Sequence, residues 1–407
     1  MYYYLETGKE RNMQPCYLYD TMPKTDTRRN VCVVDTDALR TNYTLLSSMS
    51  KNSRPIAVVK ADAYGHTAEI CVPVLLSLGC DFFAVSCTEE ATSVRKLCLR
   101  EGKDADILIL GYTDPSDVPF LSKNNIIQTA VSCAHAESLS RAAAEKNCTL
   151  RVHVAVDTGM NRIGVCATDD SLCCSAADEI ETITRLKGLS VEGIFTHFSK
   201  SDGLADETLA PDSFTRSQAK CFAQICKMLS LRGIKLFTHA CNSAATLRFP
   251  EFHLDGVRLG IALYGVYPSE HFEDIGLLPV MSLSTVIAHV HTAPAGSFVG
   301  YGGAFVAESD TKIATLPIGY ADGFLRKYSG ADVKVMTQSG KRKAKIVGRI
   351  CMDQCMIDVT GIDVNVGDRV ILFGDTPDGL RSLASLAETI EYECLCLISA
   401  RVPRVKK

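Results

Sequence analysis

The stretch AVVKADAYGHT, Ala57 to Thr67, decides how the chain is to be folded. Ala57, Val58 and Val59 have the apolar, β-branched character of a buried strand. Lys60 follows at once, where buried chain avoids charge. Ala61-Asp62-Ala63-Tyr64-Gly65-His66 then reads as a turn. A buried strand that ends on a polar group suits a parallel barrel, whose strands are apolar on both faces and open at their C-terminal ends on a reactive mouth.

Working outward, the same pattern recurs. FFAVS (82–86), ILILGY (107–112), IIQTAV (126–131), LRVHVAVDT (150–158), VEGIFTHF (191–198), KLFTHACN (235–242) and HLDGVRLG (253–260) are further β-type runs, and most precede a segment of helical spacing. Alternating βα units imply a parallel sheet. Eight such runs between residues 31 and 265 match a (β/α)8 TIM-type barrel. An open doubly wound sheet would carry a glycine-rich phosphate loop after its first strand, and a lone Gly65 does not make one. From 266 to 407 the texture changes to short strands between Gly and Asp turns, a mainly antiparallel β domain. SLASLAETI is its one helix candidate and CLISARVPRV a final strand. Residues 1–30 form an N-terminal extension.

The 407 residues carry a net charge of −4 and are 46% hydrophobic. So mild a charge argues against nucleic acid and against a membrane surface as partner. The 18 cysteines are scattered, without paired CxxC spacing. That suits a reduced, cytoplasmic protein using cysteine as a small core residue, with no metal site expected. The N-terminus lacks the pattern of a signal peptide, and no window has the apolar length of a membrane span.

The residues to weigh are the polar ones at the strand ends: Lys60, Asp157, Arg162, His197, His239, Asn242, Ser243 and Arg258. A lysine in an apolar site has a lowered pKa and can act as a neutral amine, able to form a Schiff base with an aldehyde. The plain alternative is a lysine that snorkels out or pairs with a carboxylate. Ser243 also suits a helix N-cap ahead of AATLRF, and Arg258 a structural ion pair with Asp255.

VVKADAYGH resembles the cofactor-lysine motif of the alanine racemases, pyridoxal-phosphate enzymes of the barrel type. The resemblance continues in order through VDTGMNRIG, THF, HACNSAATLRFP, DGVRLGIALYG, VGYGG, LPIGYADGF, VGRICMDQCMIDV and RVPR. It implies interconversion of L- and D-alanine with pyridoxal 5'-phosphate. It makes Lys60 the residue that carries the cofactor and one of two catalytic bases. Tyr64, Asn242, Ser243, Gly260 and Ile261 would hold the cofactor, chiefly its phosphate, and His197 would lie against its ring. Arg258, held by His239, would face the pyridine nitrogen and leave it unprotonated. Many pyridoxal-phosphate enzymes place an acid there instead. Tyr301 would be the second base, reaching the site of the other subunit, so the resemblance implies a homodimer with shared active sites. Arg162 and the backbone of Met352 would grip the amino-acid carboxylate, Tyr320 would line the entrance, and Asp353 would support them.

Two positions depart from the family pattern. Ala155 stands where many members carry a lysine, often carbamylated, that positions the arginine; Asn161 or a bound anion would then hold Arg162. Ala400 stands where a tyrosine usually precedes RVPR, and a wider pocket accepting serine or a broader range of amino acids is expected from it. A decarboxylase of basic amino acids is disfavoured by Arg258. A non-catalytic pyridoxal-phosphate-binding barrel is disfavoured by VGYGG and GRICMDQCM.

Overall fold

The computed structural model describes residues 29–50, 52–210 and 213–407. Eight parallel strands close into a barrel: Arg54–Val58 (β1), Phe82–Val85 (β2), Asp106–Ile109 (β3), Ile127–Ala130 (β4), Leu150–Asp157 (β5), Leu189–Phe195 (β6), Phe237–His239 (β7) and Gly256–Leu259 (β8). Each lies beside its neighbours in sequence, and β8 closes on β1 with Arg258 opposite Ile56. The expected barrel and its mainly antiparallel companion sheet are both present. Strands such as β2 and β4 are buried along their whole length, because helices cover the outside and side chains fill the inside. Helix Phe214–Leu231 shows the covering pattern. Ser213 caps it, and Ala219, Phe222, Ile225 and Leu229 form its buried stripe.

The second sheet runs, in spatial order, His289–Ala293, Thr311–Leu316, Cys355–Asp358, Gly340–Val347, Asp332–Thr337, Arg369–Phe373, Met281–Val286, Val31–Val34 and Arg404–Lys406. Two expectations are corrected here. Val31–Val34, placed at the start of the barrel portion, instead pairs antiparallel with Met281–Val286 and parallel with Arg404–Lys406. A short apolar run looks the same in either sheet, and its partners lie some 250 residues away, so periodicity alone does not place it. CLISARVPRV is not one strand. Its first two residues, Cys396 and Leu397, end helix Glu391–Leu397, which has Glu391 and Glu393 in its first turn, where the helix dipole favours acids. Pro403, which has no N–H to give a ladder, precedes the short strand that remains. The N-terminal extension lies outside the described residues except for Arg29 and Asn30. No helix among the described residues is long and apolar enough to cross a membrane.

The two ends of the barrel treat charge differently. At the bottom, Arg54 pairs with Asp81 (2.8 Å) and Asp106 (2.7 Å), and Arg151 with Asp106 and Glu192 (both 2.7 Å). At the mouth, Lys60, Arg162 and Arg258 form no ion pair among the described residues. Cations left without an ion-pair partner at a concave mouth suit an anionic ligand.

Candidate active site

Lys60 sits at the mouth because the chain turns the unusual way just after it. Ala61, Asp62, Ala63 and Tyr64 have φ of 51°, 51°, 58° and 52°, a left-handed turn that costs L-residues about 1–2 kcal/mol each. Several groups hold it. Ala61 N–H donates to Glu90 Oε1 (2.7 Å), while Glu90 Oε2 accepts from the Ser86 N–H and hydroxyl (both 2.9 Å). Ala68 N–H donates to Asp62 Oδ1 (2.8 Å), and Arg404 Nε donates to the Gly65 carbonyl (2.9 Å). The turn delivers the side chains of Lys60 and Tyr64 into one cavity.

His66, for which the residues alone suggest no role, is part of this brace. Its ring is fully buried and stacks on Tyr264 at 4.6 Å. Nδ1 lies 3.0 Å from the carbonyl oxygens of Ala63 and Tyr64, which can only accept, so Nδ1 carries the proton. Burial pushes the imidazole down to about 4. The unfolded chain takes a proton near pH 6.5, so between pH 6.5 and 4 it binds more protons than the folded one and stability falls as pH falls. His66 alone should contribute a loss of about 3 kcal/mol over that range. Urea midpoints at pH 7 and pH 4.5 should therefore converge in His66→Gln relative to the parent chain.

The cavity has a volume of about 780 Å³ and is lined by Lys60, Tyr64, Arg162, His197, Asn242, Ser243, Arg258, Gly260 and Ile261 among others. Thus every barrel residue singled out for catalysis, cofactor or substrate meets at one place. Burial, with Arg162 adding to it, lowers the Lys60 amine below the ordinary lysine value; Glu90 opposes the shift. A Cβ on Gly260 would come within 3.1 Å of the Tyr64 hydroxyl and 3.4 Å of Ser243 Oγ. The two hydroxyls and a bare glycine backbone thus form a cradle that a side chain would fill. Ser243 Oγ accepts from the N–H groups of Gly260 (2.9 Å) and Ala262 (3.3 Å). The helix N-cap falls one residue earlier than expected, on Asn242, whose Oδ1 accepts from Ala245 N–H (2.9 Å). Ser243 is therefore free of capping duty.

Arg258 is fully buried, and burial lowers it to about 10, still protonated at neutral pH. It is not paired with Asp255, whose Oδ2 accepts instead from Thr238 N–H (2.8 Å). Its guanidinium donates to the carbonyls of Ala240 (2.7 Å) and Thr196 (2.8 Å), to His239 Nδ1 (2.8 Å) and to His197 Nδ1 (3.2 Å). An arginine can only donate, so His239 must carry its proton on Nε2, which points at His153 Nδ1 3.0 Å away. Burial, then the Arg258 charge, hold His197 and His239 well below the usual imidazole range, so both stay neutral acceptors.

The remaining expected residues lie elsewhere. Tyr301, Tyr320, Met352 and Asp353 line a second cavity of about 720 Å³ on the β domain, and none of them borders the first. Tyr301, Tyr320 and Met352 are 69%, 43% and 54% exposed. Within one chain the two halves of the expected site do not meet. Two further expectations are corrected. Asn161 does not hold Arg162: its N–H donates to Asp157 Oδ1 (2.9 Å) and its amide to the Gly159 carbonyl (3.3 Å). Ala400 is exposed and borders neither cavity, so its small size opens no space beside Lys60. The roof there is supplied by Ile390, Tyr392 and Cys396, with the Tyr392 ring 6.2 Å from that of Tyr64. Tyr392 was missed because it lies between the helix candidate SLASLAETI and the expected strand CLISARVPRV, in a segment given no element. Glu90 was legible only as an acid in the first turn of helix Thr88–Arg100.

Two family models match in order: alanine racemase, N-terminal domain, over residues 34–268, and alanine racemase, C-terminal domain, over residues 280–406. The chain is 42% identical over 379 residues to alanine racemase 1 of Clostridium acetobutylicum, covering 91% of this chain and 94% of that one. The structure resembles the alanine racemase of Clostridium difficile 630 with a TM-score of 0.84 and 34% identity, covering 94% and 96% of the two chains. It also resembles the alanine racemase of Bacillus anthracis with bound L-Ala-P, with a TM-score of 0.81 and 31% identity, covering 93% and 95%.

Proposed function

This chain belongs to the alanine racemase family, and on that premise we propose how its own residues divide the interconversion of L- and D-alanine that it carries out with pyridoxal 5'-phosphate. When bound, that cofactor supplies an aldehyde and an electron-accepting ring that together acidify the Cα proton of an amino acid. The cradle at Gly260 suits its phosphate: Tyr64, Ser243 and the N–H groups of Gly260 and Ile261 would hold the anion, with Asn242 fixing the loop they share. His197 would pack against the ring. Lys60, whose pKa burial lowers, would carry the aldehyde and later move the proton at Cα on one face.

The observation that carries this reading is Arg258, a fully buried guanidinium without a carboxylate partner among the described residues. Its positive charge would keep a neighbouring ring nitrogen from taking a proton. That limits electron withdrawal and favours return of a proton to Cα over loss of the amine. His239 would hold Arg258 in that position. Racemisation needs a second base on the opposite face, since Lys60 reaches only one. Tyr301 is the candidate, and its place on a separate, exposed surface supports a homodimer in which it enters the partner's Lys60 cavity. Met352 N–H and Tyr320 would arrive with it, so that Arg162 and Met352 together grip the carboxylate while Asp353 steadies the loop.

The test is a chiral assay over a panel of amino acids in deuterated water. L-Alanine should yield D-alanine carrying one deuteron at Cα, without release of carbon dioxide. Decarboxylation, or turnover without exchange at Cα, would overturn the reading. Serine should turn over far more slowly than alanine, because Ala400 leaves no extra room beside Lys60.

A further inference from the structure

Arg401 borders neither cavity, yet its guanidinium reaches both loops of the second one. Nη2 donates to Asp353 Oδ1 (2.9 Å), and Nε lies 3.4 Å from Asp322 Oδ1. Asp322 is fully buried. Its Oδ2 accepts from Gly319 N–H (3.0 Å), but among the described residues Oδ1 has no hydrogen-bond partner, and the only other cation paired with it there is Arg29 at 3.9 Å. These loops are the ones that carry Tyr320 and Met352. They are laced together by Tyr320 N–H to the Cys351 carbonyl (3.1 Å) and Ala321 N–H to the Met352 carbonyl (3.0 Å). The laced pair is pressed onto the end of helix Glu391–Leu397. Ser399 N–H donates to the Asp322 carbonyl (3.0 Å), and a Cβ on Gly323, at φ +90°, would lie 2.2 Å from the Leu397 carbonyl oxygen. Arg401 is thus a single charge bridging two acids on the two loops, and removing it would leave a buried carboxylate without its nearest cation.

We propose that Arg401 is a positioning residue for the face this chain donates to its partner: it holds Tyr320 and the Met352 backbone at the height needed by the partner's Lys60 cavity, and so acts in trans. The inference rests on the two-chain reading above. Arg404, three residues on, has the opposite allegiance. It bonds the Gly65 carbonyl beside Lys60 and the carbonyls of Ile398 (2.6 Å), Ser399 (2.7 Å) and Val402 (2.8 Å), and so braces the chain's own cavity.

In the holoenzyme, Arg401→Met should raise KM for alanine about tenfold, since small misplacement of a gripping group is costly, while affinity for pyridoxal phosphate stays unchanged. Arg401→Lys, which can satisfy one acid but not bridge two, should fall between. The decisive measurement mixes differently tagged chains by co-expression. A hybrid of Arg401→Met with Lys60→Ala has one site that combines an intact Lys60 with an intact donated face. A component with the parent KM should then appear, at about a quarter of all sites for random pairing of two-fold dimers. Tyr301→Phe mixed with Lys60→Ala is the control. Recovery in the control but not with Arg401→Met would overturn the role of Arg401 and leave the dimer standing. Recovery in neither would overturn both. An unchanged KM, or a loss of cofactor affinity in Arg401→Met, would also overturn it.

Discussion

In Lys60→Ala, interconversion of L- and D-alanine is expected to fall by about 10⁴-fold or more, because on the proposed reading one residue would supply both the covalent hold and a base. The chain should still fold. The strand before Lys60 is buried without it, and the left-handed turn after it is held by Glu90, Asp62, His66 and Arg404 rather than by the amine. Pyridoxal phosphate should still bind non-covalently through the cradle at Gly260, without the visible absorbance of a linked cofactor. The same lysine gives a pH prediction. Burial and Arg162 lower its pKa, so the neutral amine exists at lower pH than for an ordinary lysine. The pH midpoint for covalent uptake of cofactor by the apoprotein should lie below the reference value of about 10.4. Arg162→Met should move that midpoint upward. An upward or absent shift in the parent chain, or a catalytically intact Lys60→Ala, would sink the assignment.

Tyr301→Phe is expected to lower racemisation by about 10²–10⁴-fold, the range for a lost general acid–base group. The informative result is an asymmetry. Lys60 would still serve its own face of Cα, so proton exchange with deuterated water should persist for one enantiomer of alanine and vanish for the other. Both followed by NMR, the two rates should separate by at least about tenfold. Equal loss for both enantiomers would mean that Tyr301 only shapes the site. Since Tyr301 is 69% exposed and away from Lys60 in the single chain, racemase activity of the parent chain should also be lost on dilution below the dissociation constant of the proposed dimer.

Much of the barrel half of the site was legible because strand ends are easy to find. Each apolar run stops at a polar residue, and in a closed parallel barrel all such stops face one mouth. Lys60, His197, Asn242, Ser243 and Arg258 were placed that way, and the family motifs attach roles to them. Glu90 and Tyr392 were not legible. Glu90 reaches the Lys60 turn only because β1 and β2 lie side by side. Tyr392 faces Tyr64 only because its segment is helical, and a seven-residue apolar-acidic run can be strand or helix.

By itself the sequence determined the class of the protein: a barrel with a β-rich partner domain, a lysine at the first strand end, and an ordered set of motifs that mark a pyridoxal-phosphate racemase. Local pattern carries that much because burial and turn chemistry act over a few residues. Only the tertiary structure decided that Val31–Val34 leaves the barrel for the second sheet, that Arg258 keeps histidines and carbonyls rather than Asp255, that Ala400 opens nothing, and that Tyr301 and Met352 stand apart from Lys60. Those outcomes depend on which distant segments meet, and contact between residues hundreds of positions apart is settled by packing of the whole chain, not by any stretch of it.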